Sequence, residues 1–303
     1  MKFAPLAALL LIVFGAVSLL LLVPLPVEVR LVRVLIDMGH APLFTVLAII
    51  VLQACRHVAP RHFHRSALVV WVLLVALGWV SEVAQGYTGR GPSIQDALAN
   101  TLGASAGVLW LLSRHSSWRL PGLGLAGALL LVGEAYPLSN FGDTLWQYHQ
   151  MPAIATFESP TELFRWQSNH STIRRVREHA TAGNWALRID LEPGKHPGAA
   201  IDSPPANWSG YEVLLVDLYL ADGPPTTLVV KVEDRWHNHD PSDRFERRFK
   251  LSPGSHTLHI SLADIAAAPA DRELDLQNVF FVQFYVYKNA KPRSLFLDNI
   301  RLQ

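Results

Sequence analysis

Residues 82–107 read Glu-Val-Ala-Gln-Gly-Tyr-Thr-Gly-Arg-Gly-Pro-Ser-Ile-Gln-Asp-Ala-Leu-Ala-Asn-Thr-Leu-Gly-Ala-Ser-Ala-Gly, a polar island between two hydrophobic runs. An ionisable side chain near the centre of a bilayer is costly. Glu82, Gln85, Arg90, Asp96 and Asn100 therefore belong at a membrane surface or inside a protein interior. The nature of the flanking runs decides the fold.

Half of the 303 residues are hydrophobic and the mean hydropathy is +0.21, with the excess concentrated ahead of residue 138. Apolar runs at 3–23, 36–55, 67–83, 94–112 and 120–137 predict five membrane spans. About 20 residues rising 1.5 Å each cross roughly 30 Å of hydrocarbon. The first run exceeds the apolar core of a signal peptide, and Pro24-Leu25-Pro26 follows it in place of a small-x-small cleavage site. It reads as an uncleaved anchor.

Short loops rich in Lys and Arg stay in the cytoplasm. Lys2, Arg56, Arg61, Arg65, Arg114 and Arg119 fall on one side of the five spans, against Arg30, Arg33 and Arg90 on the other. The N-terminus is then cytoplasmic, and everything after residue 137 lies outside the cytoplasm. His57, His62 and His64 in the first basic loop read as headgroup-level residues rather than as metal ligands. A net charge of +1 offers no electrostatic case for nucleic acid. Cys55 is the only cysteine, so the C-terminal half folds without disulfides or thiolate-bound zinc.

A linker at 139–153, with Trp146 and Tyr148 as interfacial anchors, separates a membrane domain at 1–138 from a second domain at 154–303. There the pattern changes to short alternating runs between Gly, Pro, Asn and Asp, predicting strands at 186–191, 213–220, 227–233, 245–251, 256–261, 279–287 and 294–301. The fold class is multi-domain: an all-α transmembrane helical bundle followed by an all-β antiparallel sandwich.

In the five-span topology Asp37, His40, Glu82, Gln85, Arg90, Asp96 and Asn100 all fall near the outer membrane face. Asp37 and His40, Glu82 and Gln85, and Asp96 and Asn100 are spaced three or four apart, so each pair shares one helix face. These residues predict one polar pocket, with Arg90 compensating the carboxylates. An architectural reading uses the same residues: Ser93 and Asp96 as a capping-box variant, Asp37 as a cap, and Ala99, Gly103 and Gly107 as a small-residue seam.

Asp37-x-x-His40, Glu82-x-x-Gln85, Arg90 and Asp96-x-x-x-Asn100-x-x-Gly103 resemble the VanZ-like family of bacterial membrane proteins over about the first 115 residues. The chain departs from that pattern at Met38, at Pro42 and in its fifth span. The resemblance implies a role in envelope maintenance or antibiotic tolerance.

In the second domain, alternation places Leu214, Val216, Leu218, Leu228, Val230, Val232, Phe280, Val282, Phe284 and Val286 in the core. The opposite faces carry Asp217, Tyr219, Lys231, Glu233, Gln283, Tyr285 and Tyr287, with Trp236 on a following loop. This mixture suits a sugar, whose C–H faces stack on rings while its hydroxyls form hydrogen bonds; it equally suits a solvated sheet face. Phe157-Glu158, Trp208-Ser-Gly-Tyr211 and Leu295-Phe-Leu-Asp-Asn-Ile-Arg301 resemble carbohydrate-binding modules with a galactose-binding-like jelly roll. Trp208 is read as core. The resemblance implies an envelope or extracellular glycan as partner, and a structural calcium ion at Glu158 and Asp298 tying the first strand to the last. Two rivals stay open: a membrane enzyme acting on a lipid-linked glycan at the outer leaflet, with Glu82, Asp96 or His40 as acid or base, and a structural protein that recruits a protein partner.

Overall fold

The computed structural model describes residue 15 and residues 30–58, 60–87, 92–114 and 116–303. The chain divides into two compact units, Met1–Phe141 and Gly142–Gln303.

The first unit is helical: α1 (Arg30–Asp37), α2 (His40–Val58), α3 (Phe63–Gln85), α4 (Ile94–Ser113) and the part of α5 (Arg119–His149) that precedes Gly142. Helix α1 stops at Met38–Gly39, where the Gly39 N–H turns back to Ile36 O (2.8 Å), and α2 restarts at His40. Pro42 falls in the first turn of α2, where an N–H has no intrahelical acceptor to lose. Helices α2 and α4 meet along the expected small-residue seam. A Cβ at Gly103 would lie 2.2 Å from Ala41 O, and one at Gly107 2.4 Å from Thr45 O. The Thr45 hydroxyl reaches both Ala41 O (2.8 Å) and Gly103 O (2.9 Å) across this seam.

Three stretches among the described residues are long and apolar enough to cross a membrane, rather than five: Arg30–Val58, Pro60–Gln85 and Arg119–His149. Leu68, Val69, Val72, Leu73, Val80 and Val83 are exposed along α3, a helix apolar on nearly every side. The expected span at 3–23 lies outside the described residues, apart from Gly15. The expected span at 94–112 is helical, but Gln95, Asp96, Asn100, Thr101 and Ser105 dilute its apolarity. It packs instead against α2 and α3, burying Ala97, Ala99, Asn100, Gly103, Ala104 and Gly107.

The second unit is a β-sandwich with antiparallel pairing throughout. One sheet runs β3 (Ser171–Val176), β4 (Ala186–Leu191), β11 (Arg293–Leu302), β6 (Val213–Leu220) and β9 (Gly254–Ser261), with β1 (Ala153–Ala155) also on β11. The other runs β2 (Trp166–Asn169), β5 (Gly198–Asp202), β10 (Val279–Val286), β7 (Thr226–Asp234) and β8 (Phe245–Leu251). A short α6 (Leu262–Ala266) follows β9. The core holds Trp208, Leu214, Val216, Leu218, Leu228, Val230, Val232, Val282, Phe284 and Val286. Trp208 is fully buried, its indole N–H donating to Pro205 O (2.8 Å). Phe280 is not part of this core: a register shift between Val279 and Phe281 brings Val279 inward in its place.

The expected linker at 139–153 is helical as far as His149. Within the second unit, Asp143 on this helix pairs with Arg165 (2.7 Å, both side chains fully buried), and Gln147 donates to Ser203 O (3.2 Å). Strand β5, Gly-Ala-Ala-Ile-Asp, was absent from the expected strands because glycine and alanine carry little strand propensity. Its glycine is a packing requirement: a Cβ at Gly198 would lie 2.1 Å from Phe284 O.

Candidate functional site

In the helical unit, Asp37 ends α1, His40 opens α2 and Asp96 stands in the first turn of α4. One ligand atom from each lies within 4.8 Å of the other two. His40 Nδ1 is 3.0 Å from Asn100 Oδ1, and both residues are buried. Four of the seven expected pocket residues therefore come together. Glu82 and Gln85 lie 3.5 Å apart, and Glu82 Oε2 accepts the Ser93 N–H (3.1 Å). Ser93 Oγ in turn accepts from Asp96 N (3.1 Å). Ser93 thus caps α4 as expected, but the carboxylate completing the cap comes from α3. Arg90 lies outside the described residues. Glu134, on α5, was missed although it is a buried carboxylate in an apolar helix, which is itself a signal.

In the sandwich, register builds the outer face of the β2–β5–β10–β7–β8 sheet in rows. One row is Asn169, Gly198, Tyr285, Val229 and Arg248; the next is Gln167, Ala200, Gln283, Lys231 and Glu246; the third begins Asp202, Phe281 and Glu233. Several charges on this face sit beside a partner of opposite sign. Lys231 lies 2.9 Å from Glu233, His237 3.2 Å from Glu233, and Arg244 2.7 Å from Glu246. Lys231 also sits over the Phe281 ring (4.7 Å), and Arg248 over the Tyr287 ring (4.8 Å). Tyr285 is nearly buried, edge-on to His196 (5.0 Å), and its phenol is pushed up to about 12 by burial and by the neighbouring Glu246 carboxylate. At the end of β7, Trp236 is 62% exposed, with its indole N–H on Asp275 Oδ2 (3.3 Å). Its loop is braced by Arg272, which forks between Asp234 (2.5 and 2.8 Å) and Asp243 (2.5 Å).

The C-terminal β-sandwich resembles carbohydrate-binding modules. The family 11 module from Clostridium thermocellum, in complex with a β-1,3-1,4-mixed-linked tetrasaccharide, is 16% identical, with a TM-score of 0.40 over 50% of this chain and 93% of that one. The family 30 module of a cellulosomal cellulase of the same organism is 12% identical, with a TM-score of 0.38 over 50% and 95%. An exo-β-agarase is 17% identical, with a TM-score of 0.40 over 50% of this chain and 24% of the enzyme. No family model matches the chain, and no curated protein matches it. At these identities the likeness is one of fold, and the ligand has to be argued from the side chains.

Lys231, Glu233, Gln283, Tyr285 and Tyr287 share one sheet, but Asp217 and Tyr219 lie on β6 in the other. Alternation assigns a side chain to one side of its own sheet and says nothing of which sheet that is. Tyr219 is covered by His179, stacked at 3.5 Å. Burial works against the Asp217 charge, yet hydrogen bonds from Thr257 and Asn299 and the Arg301 guanidinium hold its carboxyl below the usual range. Phe281 and Arg248 were missed as members of the sheet face; Phe281 follows from extending the β10 alternation by one step.

Glu158 and Asp298 both turn to the loop at 181–185. Glu158 Oε1 accepts the N–H groups of Asn184 (2.8 Å) and Trp185 (2.9 Å). Asp298 Oδ2 accepts from Thr181 N (2.6 Å), Ala182 N (2.9 Å) and Thr181 Oγ1 (3.0 Å), and Oδ1 from Asn299 N (2.7 Å). Donors aimed at Glu158 Oε1 and Asp298 Oδ2 compete for lone pairs that a calcium ion would use. Backbone N–H groups thus already tie both carboxylates to this loop.

Proposed function

We propose that this is a VanZ-like multi-pass membrane protein of the bacterial envelope whose extracytoplasmic sandwich binds a neutral glycan on the outer face of the β2–β5–β10–β7–β8 sheet. The observation that carries the reading is the mutual pairing of most charges on that face. With Lys231, Glu233, Arg244 and Glu246 paired among themselves and Arg248 laid over the Tyr287 ring, it offers amides, hydroxyls and rings rather than a strong field of one sign. Such a surface suits an uncharged, polyhydroxylated chain better than an ion or a charged peptide. Gln283 and Tyr287 supply polar contacts, and the exposed Trp236 ring at the rim supplies a platform for a sugar face. The basic residues around the connections, Arg56, Arg61 and Arg65 between α2 and α3 and Arg114 and Arg119 between α4 and α5, favour the cytoplasm for that end of the bundle and the opposite side for the sandwich.

Affinity electrophoresis of the full-length protein in detergent, through gels containing neutral β-glucans, xylans or peptidoglycan fragments, tests this reading. Retardation by at least one of them, lost in Trp236→Ala and Tyr287→Ala at an unchanged melting midpoint, is expected. Migration indifferent to every glycan would overturn it.

A further inference from the structure

We infer that the helical unit binds a divalent first-row transition-metal ion, of the Mn2+ or Zn2+ type, between Asp37, His40 and Asp96. A ring nitrogen and two carboxylate oxygens within 4.8 Å of one another are a rotamer adjustment away from closing on one ion. The three residues occupy element ends set by backbone features. Asp37 and His40 flank the break at Met38–Gly39, and Asp96 is placed by its N–H bond to Ser93 Oγ. The imidazole is already oriented. The Asn100 Oδ1 contact, 3.0 Å from Nδ1, assigns the ring proton to Nδ1 and leaves Nε2 as the nitrogen with a lone pair. Metal-binding histidines are commonly held this way, the second ring nitrogen donating to a carbonyl or carboxylate.

A second observation stands apart from the triad. Glu134 of α5 is 8% exposed, its Oε1 has no hydrogen-bond partner, and it lies within electrostatic range of His40. The adjacent Gly133 fixes this placement, since a Cβ there would lie 3.2 Å from Ala41 Cβ, one residue beyond His40. A buried carboxylate oxygen without a donor is strongly disfavoured in an apolar helix, and a cation held by Asp37, His40 and Asp96 would place a compensating charge near it. The donor set is one imidazole with carboxylates and no thiolate. That combination favours Mn2+ or Zn2+ over Ca2+ and Mg2+, which prefer oxygen alone, and over Cu+, which prefers sulfur.

The test uses full-length protein in detergent with a histidine-free affinity tag, stripped by chelator and equilibrated with Mn2+ or Zn2+. Retention of about one equivalent per chain is expected, released again by chelator. Asp96→Asn and His40→Gln should abolish it, and Asn100→Leu should weaken it by about 10–100-fold. Replacing His57, His62 and His64 together with Gln should leave it unchanged, which separates this site from the basic loop. Helical circular dichroism establishes whether each variant is folded. Folded Asp96→Asn that retains metal like the wild type would overturn the assignment. If the ligand variants do not fold, the chain lacking the three loop histidines is loaded with Cu2+, and its spin-resonance spectrum decides. Coupling to a single imidazole nitrogen supports the site, and no nitrogen coupling overturns it.

Discussion

In the helical unit polar side chains reach one another: buried His40 meets Asn100 at 3.0 Å, and half-buried Asp37 and Asp96 each bring an oxygen within 4.8 Å of its ring. In the sandwich several carboxylates serve the backbone instead, beside others that pair with side chains such as Asp143 with Arg165. Glu162 accepts the N–H groups of Thr156 (3.0 Å) and Phe157 (2.8 Å), Glu158 those of Asn184 and Trp185, and Asp298 those of Thr181 and Ala182. The contrast has a backbone cause. Helices satisfy their own amides, so a polar side chain between them finds mainly other side chains. A sandwich threads long loops whose orphan N–H groups consume the nearest carboxylates. Glu82 follows the same logic, because it accepts a backbone N–H only where α4 begins and such groups are left over. A carboxylate that no backbone group claims is therefore the more informative one, and Glu134 Oε1 is such a case.

The largest effect expected from this contrast lies in the sandwich. Arg165→Met removes the guanidinium from the buried Asp143 carboxylate, which keeps the Thr161 hydroxyl but loses its counter-charge, and should cost about 3–5 kcal/mol in denaturant unfolding. A loss under about 1 kcal/mol, the size of an exposed pair, would show that water reaches the pair and that the contrast is overstated.

Next in size is the helical seam. Gly103→Val drives a side chain into the Ala41 backbone and should destabilise the bundle by about 1–3 kcal/mol or more, read as loss of helical signal on heating in detergent. Gly124→Ala is the matched control: nothing lies within 4 Å of its Cβ, and helix propensity alone should yield a gain of up to about 1 kcal/mol. Equal responses of the two would remove the close α2–α4 approach from the account.

Acid separates the carboxylates of the sandwich from one another. Burial opposes the charges of Asp190 and Asp217, but hydrogen bonds from Ser294 and Arg188, and from Thr257 and Asn299, hold both carboxyls below the usual range. A depressed folded-state value gives stability that is present above the unfolded value of about 3.9 and is lost as pH falls through the folded one. Asp298 runs the other way. Burial raises its carboxyl despite the N–H donors from Ala182 and Thr181, so its contribution is present below the unfolded value and is lost as pH rises through the folded one. Tryptophan fluorescence melts should therefore show Asp217→Asn flattening the fall in stability below about pH 4. An acid limb identical to wild type would break the assignment. The smallest effect on stability is expected of Trp236→Ala, within about 0.5 kcal/mol because the ring is mostly exposed. A larger loss would make Trp236 part of the fold and weaken its place in the glycan surface.

Periodicity alone located β4, β6 and β8 to the residue, and β7, β9, β10 and β11 to within two, because each carries an apolar alternation independent of its neighbours. It also set the seam of Ala99, Gly103 and Gly107, since residues four apart stay on one face of a helix. Strand β5 depended on tertiary structure: it is held by pairing with β2 and β10 rather than by its own residues. So did the separation of Asp217 and Tyr219 from Lys231 and Gln283, because local alternation has no term for the sheet a strand joins. The helical cluster was divided in the same way. Spacing brought Asp37 with His40 and Asp96 with Asn100, each pair within a few residues of chain, whereas only the packing of α2, α4 and α5 decided that Glu134 joins them while Glu82 turns to cap a helix.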